Sequence, residues 1–531
     1  MWKRPKEEIK EFLERKAREK FGEVPGFFVR ETDEKFGDYA SNIALVLAKK
    51  LQKSPGEIWE ALSHDLEKWG GELYFSELNF VSGFINFKLR DEVLHSFLNE
   101  AAFRPDDFHR LGIGKGIRVN VEFVSANPTG PLNVANARAA AVGDSLVRIL
   151  RAAGYRADSE YYVNDAGGQI RALGGSILWR LGKREEPPQD GYLGDYLVEI
   201  ARRLGEAENE LEAGSKAADM ILENQMETLK RFRVSFDAVT RESSIRKSPL
   251  VEEVKEKLEP HVYTSEGALY FRSSQFGDEK DRVLVRSNGE PTYYFFDLVY
   301  HYDKFKRGYE YMIDLLGPDH HGHIARMKAG LEAMGIGGGR LEVLIVQQVN
   351  LVRGGERVVM SKRKGEFFTM DQLLDEVGVD AARFFFLLRS VSSHLDFDLD
   401  LARTLGRENP VYYVQYLHAR TRSLLEFASS RGLSPEGADP SKLELPEERT
   451  ILRKMLFFQD LIEEIARNRS PHLMPHYLLE LASLYHNYYQ KVRIVTEDEG
   501  LSKARLLLSL GVGNVVKKGL ELIGVEAPER M

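Results

Sequence analysis

The first part of the chain changes from a helical to an alternating pattern of apolar residues. Residues 3–20 place apolar side chains at helical spacing among Lys, Arg and Glu, which predicts an amphipathic helix. A second helix is predicted over 38–52, with Asp38 as its N-cap. Residues 75–89 alternate around a glycine break and predict strands. Residues 1–110 are therefore expected to form a small α+β domain.

A strand–turn–helix pattern begins the next region. Residues 117–123 alternate as a strand, 127–131 contain the Pro and Gly of a turn, and 134–152 predict a long helix. Further short apolar runs, expected to be strands, lie at 283–285, 293–296, 312–316 and 344–346. Strands alternating with helices are typical of a parallel sheet. Residues 111–375 are therefore predicted to form a Rossmann-type α/β domain, with a mostly helical insertion at about 170–235.

The remainder, from about residue 376, has the period of helices almost to its end. The strongest predicted helices cover 411–430, 447–468, 473–492 and 500–521, and a Pro- and Gly-containing loop is predicted at 434–445. Residues 376–531 are thus expected to be an all-α helical bundle.

Composition narrows the class of protein without identifying it. The chain has 531 residues, no cysteine and a net charge of −8, from 74 Lys and Arg against 82 Asp and Glu. This length corresponds to three or four domains, and the lack of cysteine excludes disulfides, Cys-bound zinc and a thiol nucleophile. No signal peptide or run of 18 apolar residues is evident, so a cytoplasmic enzyme without a membrane span is expected.

The turn at 127–131 lies where nucleotides bind in doubly wound folds, because it joins a strand to the amino end of a helix. Unpaired N–H groups at that helix end would face a phosphate. On this pattern alone, a plain strand–helix connection is favoured. The chain has no P-loop sequence, and the glycine-rich stretch at 112–117 precedes the strand instead of following it.

A second candidate segment for nucleotide chemistry is the basic stretch at 357–365. Its Lys362 could stabilise the negative charge that develops as pyrophosphate leaves an α-phosphorus. Without a partner motif, a solvated basic loop would be the better interpretation.

Together these segments resemble a known family. "VEFVSANPTGPLNVANARAAAVGDSLVRILRAAGY", followed much later by "VMSKRKG", is similar to the class I aminoacyl-tRNA synthetases and most closely to the arginyl-tRNA synthetases. "FGDYASNIALVLAKKL" resembles the family's N-terminal tRNA-binding domain, "GPDHHGHIARMKAG" its catalytic domain, and "NPVYYVQYLHAR" and "GVEAPERM" its anticodon-binding domain.

The resemblance implies an activity and its partners. The expected reaction is ATP-dependent activation of L-arginine and its transfer to tRNA(Arg), with tRNA needed for activation. ATP would enter with Mg²⁺ as a substrate, with no tightly bound cofactor and no DNA partner, and the protein would be a monomer.

The resemblance also places residues around arginine. Ser125 and Asn127 match positions that hold the backbone groups of the amino acid, and Glu122, Tyr293 and Asp297 match positions near its side chain. The chemistry agrees, because a guanidinium pairs with carboxylates and stacks on aromatic rings. Two structural alternatives remain: Glu122 as an ion-pair partner of Arg138, and Tyr293 as an ordinary core residue.

For the ATP site, the resemblance implies five ATP-binding residues and three catalytic residues at the phosphates. Gly317 and Asp319 match a loop near the adenosine, with Asp319 on the ribose hydroxyls; the others are Ala135, Met360 and Ser361, with Lys362, Asn133 and Asn136 at the phosphates. The neighbouring His320, His321 and His323 have no evident fourth ligand, so no protein-bound metal is predicted.

This sequence departs from the family in its first signature. Asn133-Val134-Ala135-Asn136 stands where the family has His-x-Gly-His, and Val359 replaces the first Lys of the second signature. Asparagine donates hydrogen bonds but carries no charge. Arg138, just after the altered signature on the same helix, is a candidate substitute for the lost charge.

Three hypotheses follow from this departure. An active ligase with a variant phosphate site is favoured, because the substrate positions and Lys362 survive. A tRNA-binding paralogue with impaired adenylation is the alternative. A third, another class I enzyme making a small-molecule adenylate, is disfavoured by the two tRNA-domain resemblances.

For tRNA, Tyr488, Arg493 and Met531 are the predicted anticodon-facing residues. RNA recognition is expected to combine phosphate contacts with stacking of unpaired bases on aromatic rings.

Overall fold

The computed structural model describes residues 4–22, 26–70, 74–320, 322–358 and 368–531. Met360, Ser361 and Lys362, and also His321, lie outside these described residues. Among the described residues, no helix is both long and apolar enough to cross a membrane.

The N-terminal unit is a four-stranded antiparallel sheet, in the order β1-β2-β4-β3, with four helices. Its elements are α1 (Pro5–Phe21), β1 (Val29–Glu31), β2 (Tyr39–Ser41), α2 (Ile43–Leu51), α3 (Pro55–Gly70), β3 (Phe75–Val81), β4 (Phe84–Leu89) and α4 (Asp91–Phe103). The predicted strands over 75–89 are confirmed. Asp38 was wrong as an N-cap: α2 starts at Ile43 after Asn42, and Asp38 is buried where its carboxylate binds arginines from elsewhere in the chain.

The central unit is built on a parallel five-stranded sheet with the order β12-β11-β5-β6-β7. Its elements run as follows: β5 (Arg118–Glu122), α5 (Val134–Ala152), β6 (Arg156–Val163), α6 (Gly168–Arg180), α7 (Tyr196–Leu204), α8 (Glu210–Arg231), β7 (Ala238–Arg241), α9 (Glu242–Ile245), α10 (Leu250–Leu258), β8 (Val262–Ser265), β9 (Ala268–Phe271), β10 (Arg282–Val285), α11 (Tyr293–Lys306), β11 (Tyr311–Leu316), α12 (His323–Ala333), β12 (Leu341–Ile345), β13 (Val349–Arg353) and β14 (Glu356–Arg357). Helices α6, α7 and α8 form the predicted helical insertion.

Two of the predicted strands differ from the structure. Residues 293–296 begin α11 because Thr292 caps a helix there, its side chain accepting from Phe295 N. Aromatic residues favour strands in general, but tertiary context decides. The strand β10 is present, but it belongs to a separate antiparallel sheet with β9 and β8.

Helix α5 is the centre of the molecule. The predicted helix over 134–152 is confirmed, and most of its side chains are buried. Gly143 allows it to approach β5, because a Cβ there would lie 2.2 Å from the ring of Phe123. Asp144 accepts from the buried Arg383, whose other N–H groups donate to the carbonyl oxygens of Phe232 and Ile523 at 2.9 and 2.8 Å. One guanidinium therefore joins α5, the end of the insertion and the end of the chain.

The C-terminal unit is mainly helical, as predicted. Its elements are α13 (Met370–Val377), α14 (Val379–Phe386), β15 (Leu395–Asp398), α15 (Leu399–Arg403), α16 (Pro410–Ser429), α17 (Pro446–Leu456), α18 (Phe458–Asn468), α19 (Leu473–Lys491) and α20 (Glu499–Leu522). Two details differ from expectation: 447–468 is two helices that meet at Phe457, and β15 pairs in parallel with β13.

The N-terminal unit is bound to the C-terminal helices through buried charges. Arg4 Nη1 donates to Glu463 Oε2 at 2.9 Å. Asp38 accepts from Arg449 Nη2 at 3.0 Å and from Arg453 Nε at 2.9 Å. The first and last parts of the chain therefore pack against each other directly.

Candidate active site

A cavity of about 360 Å³ opens at the carboxyl edge of the parallel sheet, where ligands bind in such folds. The residues predicted to contact arginine all line it, together with Gly317; they are Glu122, Ser125, Asn127, Tyr293 and Asp297. Asp319 is exposed in a short turn beside Gly317 and is not among the lining residues.

Glu122, at the end of β5, forms part of a buried charge network. Lys304 Nζ lies 2.6 Å from Glu122 Oε2 and 2.9 Å from Asp314 Oδ1, and His301 Nε2 lies 2.7 Å from Asp314 Oδ2. The register of β5 and β11 places Glu122 directly beside Asp314, so Lys304 lies between two carboxylates. Arg138 is not the partner of Glu122: its Nη groups donate to the carbonyl oxygens of Gln347 and Ser390.

Burial and charge act in opposite directions on these acids. Burial raises the pKa of Glu122, and Lys304 offsets this only in part. Burial would also raise the pKa of Asp314, but Lys304 and His301 outweigh it and hold that pKa well below its usual range. The network therefore keeps at least one anion beside the cavity at neutral pH.

Tyr293 and Asp297 lie one turn apart at the start of α11, so both side chains face the cavity. Tyr293 is 47% exposed, which excludes the core alternative and leaves its ring accessible to a ligand. Asp297 Oδ2 lies 3.1 Å from Nε2 of His323, and Arg326 Nε donates to the other ring nitrogen at 2.8 Å. His323 thus orients a carboxylate.

Asn133 and Asn136 form a reciprocal cap at the amino end of α5. Asn133 Oδ1 accepts from the N–H groups of Ala135 and Asn136 at 2.9 and 3.1 Å, and Asn136 Oδ1 accepts from Asn133 N–H at 3.0 Å. The N–H groups of Ala135 and Asn136, at the helix end expected to offer unpaired N–H groups to a phosphate, are therefore already paired. The physical reason is that asparagine at the N-cap satisfies them itself.

Arg138 does not supply the missing charge either. It is fully buried, and its two bonds to backbone carbonyl oxygens hold it away from the helix end. Burial lowers its pKa to about 10, so it stays protonated at neutral pH. Arg138 therefore joins α5 to the β12–β13 connection and to Ser390, which is a structural role.

The two ends of the segment 359–367 are described, although the segment is not. Val358 N donates to Leu351 O at 2.9 Å, at the base of the β13–β14 hairpin. Beyond the segment, Thr369 forms a bridge with Asn133, and Met370 N donates to Leu132 O at 2.8 Å. The described chain therefore resumes beside the start of α5, where the first signature lies.

The three residues predicted to face the anticodon differ in how exposed their side chains are. Tyr488 is 1% exposed and its hydroxyl donates to Glu448 Oε1 at 2.8 Å, so this prediction was wrong: the ring faces the bundle core and cannot stack on a base. Arg493 and Met531 are exposed and line a cavity of about 880 Å³. The cavity has aromatic and cationic lining residues that were not predicted as sites, Tyr416, Arg420 and Tyr489, with Arg420 above both rings at 4.6 and 4.8 Å.

Two family models match the chain. One, described as the arginyl tRNA synthetase N terminal domain, matches residues 3–89, and the other, the DALR anticodon binding domain, matches residues 414–531. The chain is 43% identical over 513 residues to the arginine–tRNA ligase of Carboxydothermus hydrogenoformans, covering 93% of this chain and 92% of that one. It is 44% identical over 515 residues to that of Desulfosudis oleivorans, with the same coverage. The chain belongs to the arginyl-tRNA synthetase family.

Solved structures agree with this membership. The arginyl-tRNA synthetase of Thermus thermophilus has a TM-score of 0.80 at 26% identity, covering 99% of this chain and 100% of that one. A methionyl-tRNA synthetase of Mycobacterium tuberculosis, at 12% identity and a TM-score of 0.58, shares the fold alone. The protein is thus an arginine–tRNA ligase of class I, whose substrates are arginine, ATP and tRNA.

Sequence reasoning missed three residues that shape this site. Lys304 contacts Glu122, His301 contacts Asp314, and His323 contacts Asp297. Each partner is distant in sequence or lies within a helix of ordinary appearance. No local signal marks Lys304, because the charged residues Asp303 and Lys306 stand beside it in the sequence. Its complete burial appears only in the structure, where lysine is almost never buried unless it is paired.

Proposed function

We propose that this arginine–tRNA ligase acts in two steps. The arginine carboxylate attacks the α-phosphorus of ATP, giving arginyl-adenylate and pyrophosphate, and a terminal ribose hydroxyl of tRNA(Arg) then attacks the adenylate carbonyl. The observation that carries this proposal is the single cavity lined by all five predicted arginine contacts. Its carboxylates suit a guanidinium, and its position at the sheet edge suits an adenylate.

Each group has an assigned role in the proposal. Glu122 and Asp297 accept from the guanidinium, Tyr293 lies against its face, and Ser125 and Asn127 bind the backbone groups of arginine. Gly317, Asp319 and Ala135 contact the adenosine, Met360 and Ser361 contribute to ATP binding, and Lys362 acts on the phosphates. Mg²⁺ enters with ATP, and tRNA is required for activation.

Each of the three parts of the chain has a separate role in the proposed reaction. Residues 1–110 contact the body of tRNA, 111–375 perform the chemistry, and 376–531 contact the anticodon through Arg493 and Met531. The matches of the two family models to 3–89 and 414–531 support this division. We also propose a monomer in the cytoplasm.

The second candidate function is a tRNA-binding paralogue with impaired adenylation. One observation favours it: Asn133 and Asn136 use their side-chain oxygens and most nearby N–H groups to cap α5. ATP would then meet two neutral amides where the family has two histidines. Loss of one strong donor to a developing charge lowers kcat by about 10²–10³.

Arginine-dependent ATP–pyrophosphate exchange, with and without tRNA(Arg), separates the two. An active ligase gives exchange only when tRNA is present. Retained tRNA binding without exchange under either condition supports the paralogue, and exchange with a different amino acid would overturn the arginine assignment.

Two variants sharpen the test. The triple change Asn133→His, Ala135→Gly and Asn136→His restores the family signature, and we expect it to raise the exchange rate by at least tenfold if the cap limits the reaction. Lys362→Ala should slow exchange far more than it weakens arginine binding measured by calorimetry. Equal effects on both quantities would count against the role given to Lys362.

A further inference from the structure

The turn that carries Ser125 and Asn127 has an unusual backbone. Val124 and Ser125 have positive φ values of 70° and 38°. Positive φ is rare for non-glycine residues and costly for a β-branched one such as valine, so surrounding structure must hold the turn in place. Some of the hydrogen bonds that stabilise the turn come from nearby residues: Ser125 Oγ donates to Glu122 Oε1 at 2.9 Å and accepts from Tyr162 N–H at 3.0 Å.

Further hydrogen bonds to the turn come from Gln225, on α8 of the helical insertion. Its Nε2 donates to the carbonyl oxygen of Asn127 at 3.1 Å and to that of Gly130 at 2.7 Å. Gln225 is 1% exposed, so water does not compete for these bonds. Both hydrogens of one amide are therefore used on the two ends of the turn.

Two tyrosines complete the contacts. The buried hydroxyl of Tyr161 lies 2.9 Å from Gln225 Oε1 and 3.0 Å from the carbonyl oxygen of Ala126. The hydroxyl of Tyr196, on α7, donates to the carbonyl oxygen of Thr129 at 2.6 Å. Three carbonyl groups of the turn thus accept from side chains of α7 and α8, and the one hydroxyl proton of Tyr161, on β6, is shared between Ala126 O and Gln225 Oε1.

We infer that Gln225, assisted by Tyr161 and Tyr196, is a positioning residue that holds Ser125 and Asn127 in their arginine-binding conformation. The helical insertion thereby contributes to substrate recognition without touching the substrate. The inference rests on the proposed function for the identity of the ligand, but the hold on the turn itself is independent of catalysis.

The main test is Gln225→Met, which keeps the side-chain length and removes both donors. In pyrophosphate exchange, the KM for arginine should rise at least tenfold while kcat falls less than threefold, because the lost contacts position bound arginine. A merely structural role lowers the fraction of active enzyme and leaves KM unchanged. Hydrogen exchange of amides 125–130, measured by mass spectrometry, should become at least tenfold faster.

Two further variants test whether a rise in the KM for arginine comes from the loss of hydrogen bonds to the turn. Thr228→Val removes one hydrogen bond from the next turn of α8, to Asp371, without touching the turn, and should leave the KM for arginine unchanged. Tyr196→Phe removes one of the bonds and should raise KM by about threefold, since one neutral hydrogen bond contributes about 0.5–1.5 kcal/mol.

Gln225→Glu provides a pH signature. A protonated carboxyl donates to one carbonyl oxygen, whereas a carboxylate repels both, so any pH dependence of its KM for arginine relative to the wild-type protein should be a rise toward high pH. A KM that falls toward high pH would contradict the positioning role, as would a Gln225→Met protein with a KM within twofold of wild type and unchanged exchange of the turn. If the wild-type protein neither binds arginine nor exchanges pyrophosphate, the proposed function fails, and hydrogen exchange of the turn still decides whether Gln225 holds it.

Discussion

Replacing Lys304 with methionine removes a buried positive charge at nearly constant side-chain volume. The lysine side chain is 0% exposed, and the carboxylates it contacts, Glu122 and Asp314, are 8% and 6% exposed. Removing one partner from such a buried group costs about 3–5 kcal/mol, because the remaining charges lose their compensation. Here two carboxylates on adjacent strands would face each other.

The loss should depend on pH in a definite direction. In the wild-type protein the pKa of Asp314 is held below its usual range, so its contribution to stability is present above about pH 4 and is lost below that. In the variant, the facing carboxylates raise the pKa of one of them above the unfolded value. That group then destabilises the fold increasingly as the pH rises. The difference from wild type should therefore be smaller at pH 5 than at pH 8.

Native-state hydrogen exchange of the β11 amides is the assay. A loss of about 3–5 kcal/mol corresponds to exchange that is roughly two to four orders of magnitude faster. Lys306→Met is the control, because Lys306 lies on the same helix but is exposed and pairs with Glu253. The double variant Lys304→Met with Asp314→Asn should recover most of the loss. Exchange within threefold of wild type, or an equal loss at pH 5 and pH 8, would refute the reasoning.

Three further outcomes are expected. Asp297→Asn should raise the KM for arginine by about 10- to 100-fold, since a hydrogen bond to a charged group contributes about 1.5–3 kcal/mol; unchanged affinity in calorimetry would exclude Asp297 from the site. Burial raises the pKa of Glu463, but Lys6 and Arg4 lower it to about 2, so its contribution is present above pH 4.5 and is lost toward pH 2. Amides of α1 should exchange progressively faster over that range after correction for intrinsic rates, and constant protection would contradict the pairing. Arg493→Ala should weaken tRNA binding and reduce the slope of log K against log salt by about 0.7–0.9; an unchanged slope would mean that Arg493 touches no phosphate.

The sequence predicts an element correctly where the residues that determine it all lie within that element. The helix from Val134 to Ala152 was predicted to the residue, because its cap, its apolar period and its end are all local. Tyr293 shows the limit. Its aromatic neighbours resemble a strand, but the cap at Thr292 and packing against the sheet make a helix. The five arginine-contact positions came from family resemblance, and the structure brings them to one cavity.

Long-range partners could not be read from the sequence. Glu122 is separated by 182 residues from Lys304, and nothing near either residue indicates the other. Tyr488 and Tyr489 are adjacent and chemically identical, yet only the second is accessible, because a helix turns neighbouring side chains to different faces. The reciprocal capping by Asn133 and Asn136 has a sequence signature, but its effect on phosphate binding depends on which atoms remain free.

The direct packing of the N-terminal unit on the C-terminal helices fixes the distance between the two surfaces that we propose for tRNA binding. An RNA that engages both binds the second surface at a high effective concentration, provided that its own contact points are spaced to match. An RNA of different spacing engages one surface at a time and loses that gain, even if every base it presents is correct. Under the proposed division of tRNA contacts, the buried bonds from Arg4 and Asp38 would let the enzyme select tRNA by its overall dimensions as well as by its bases.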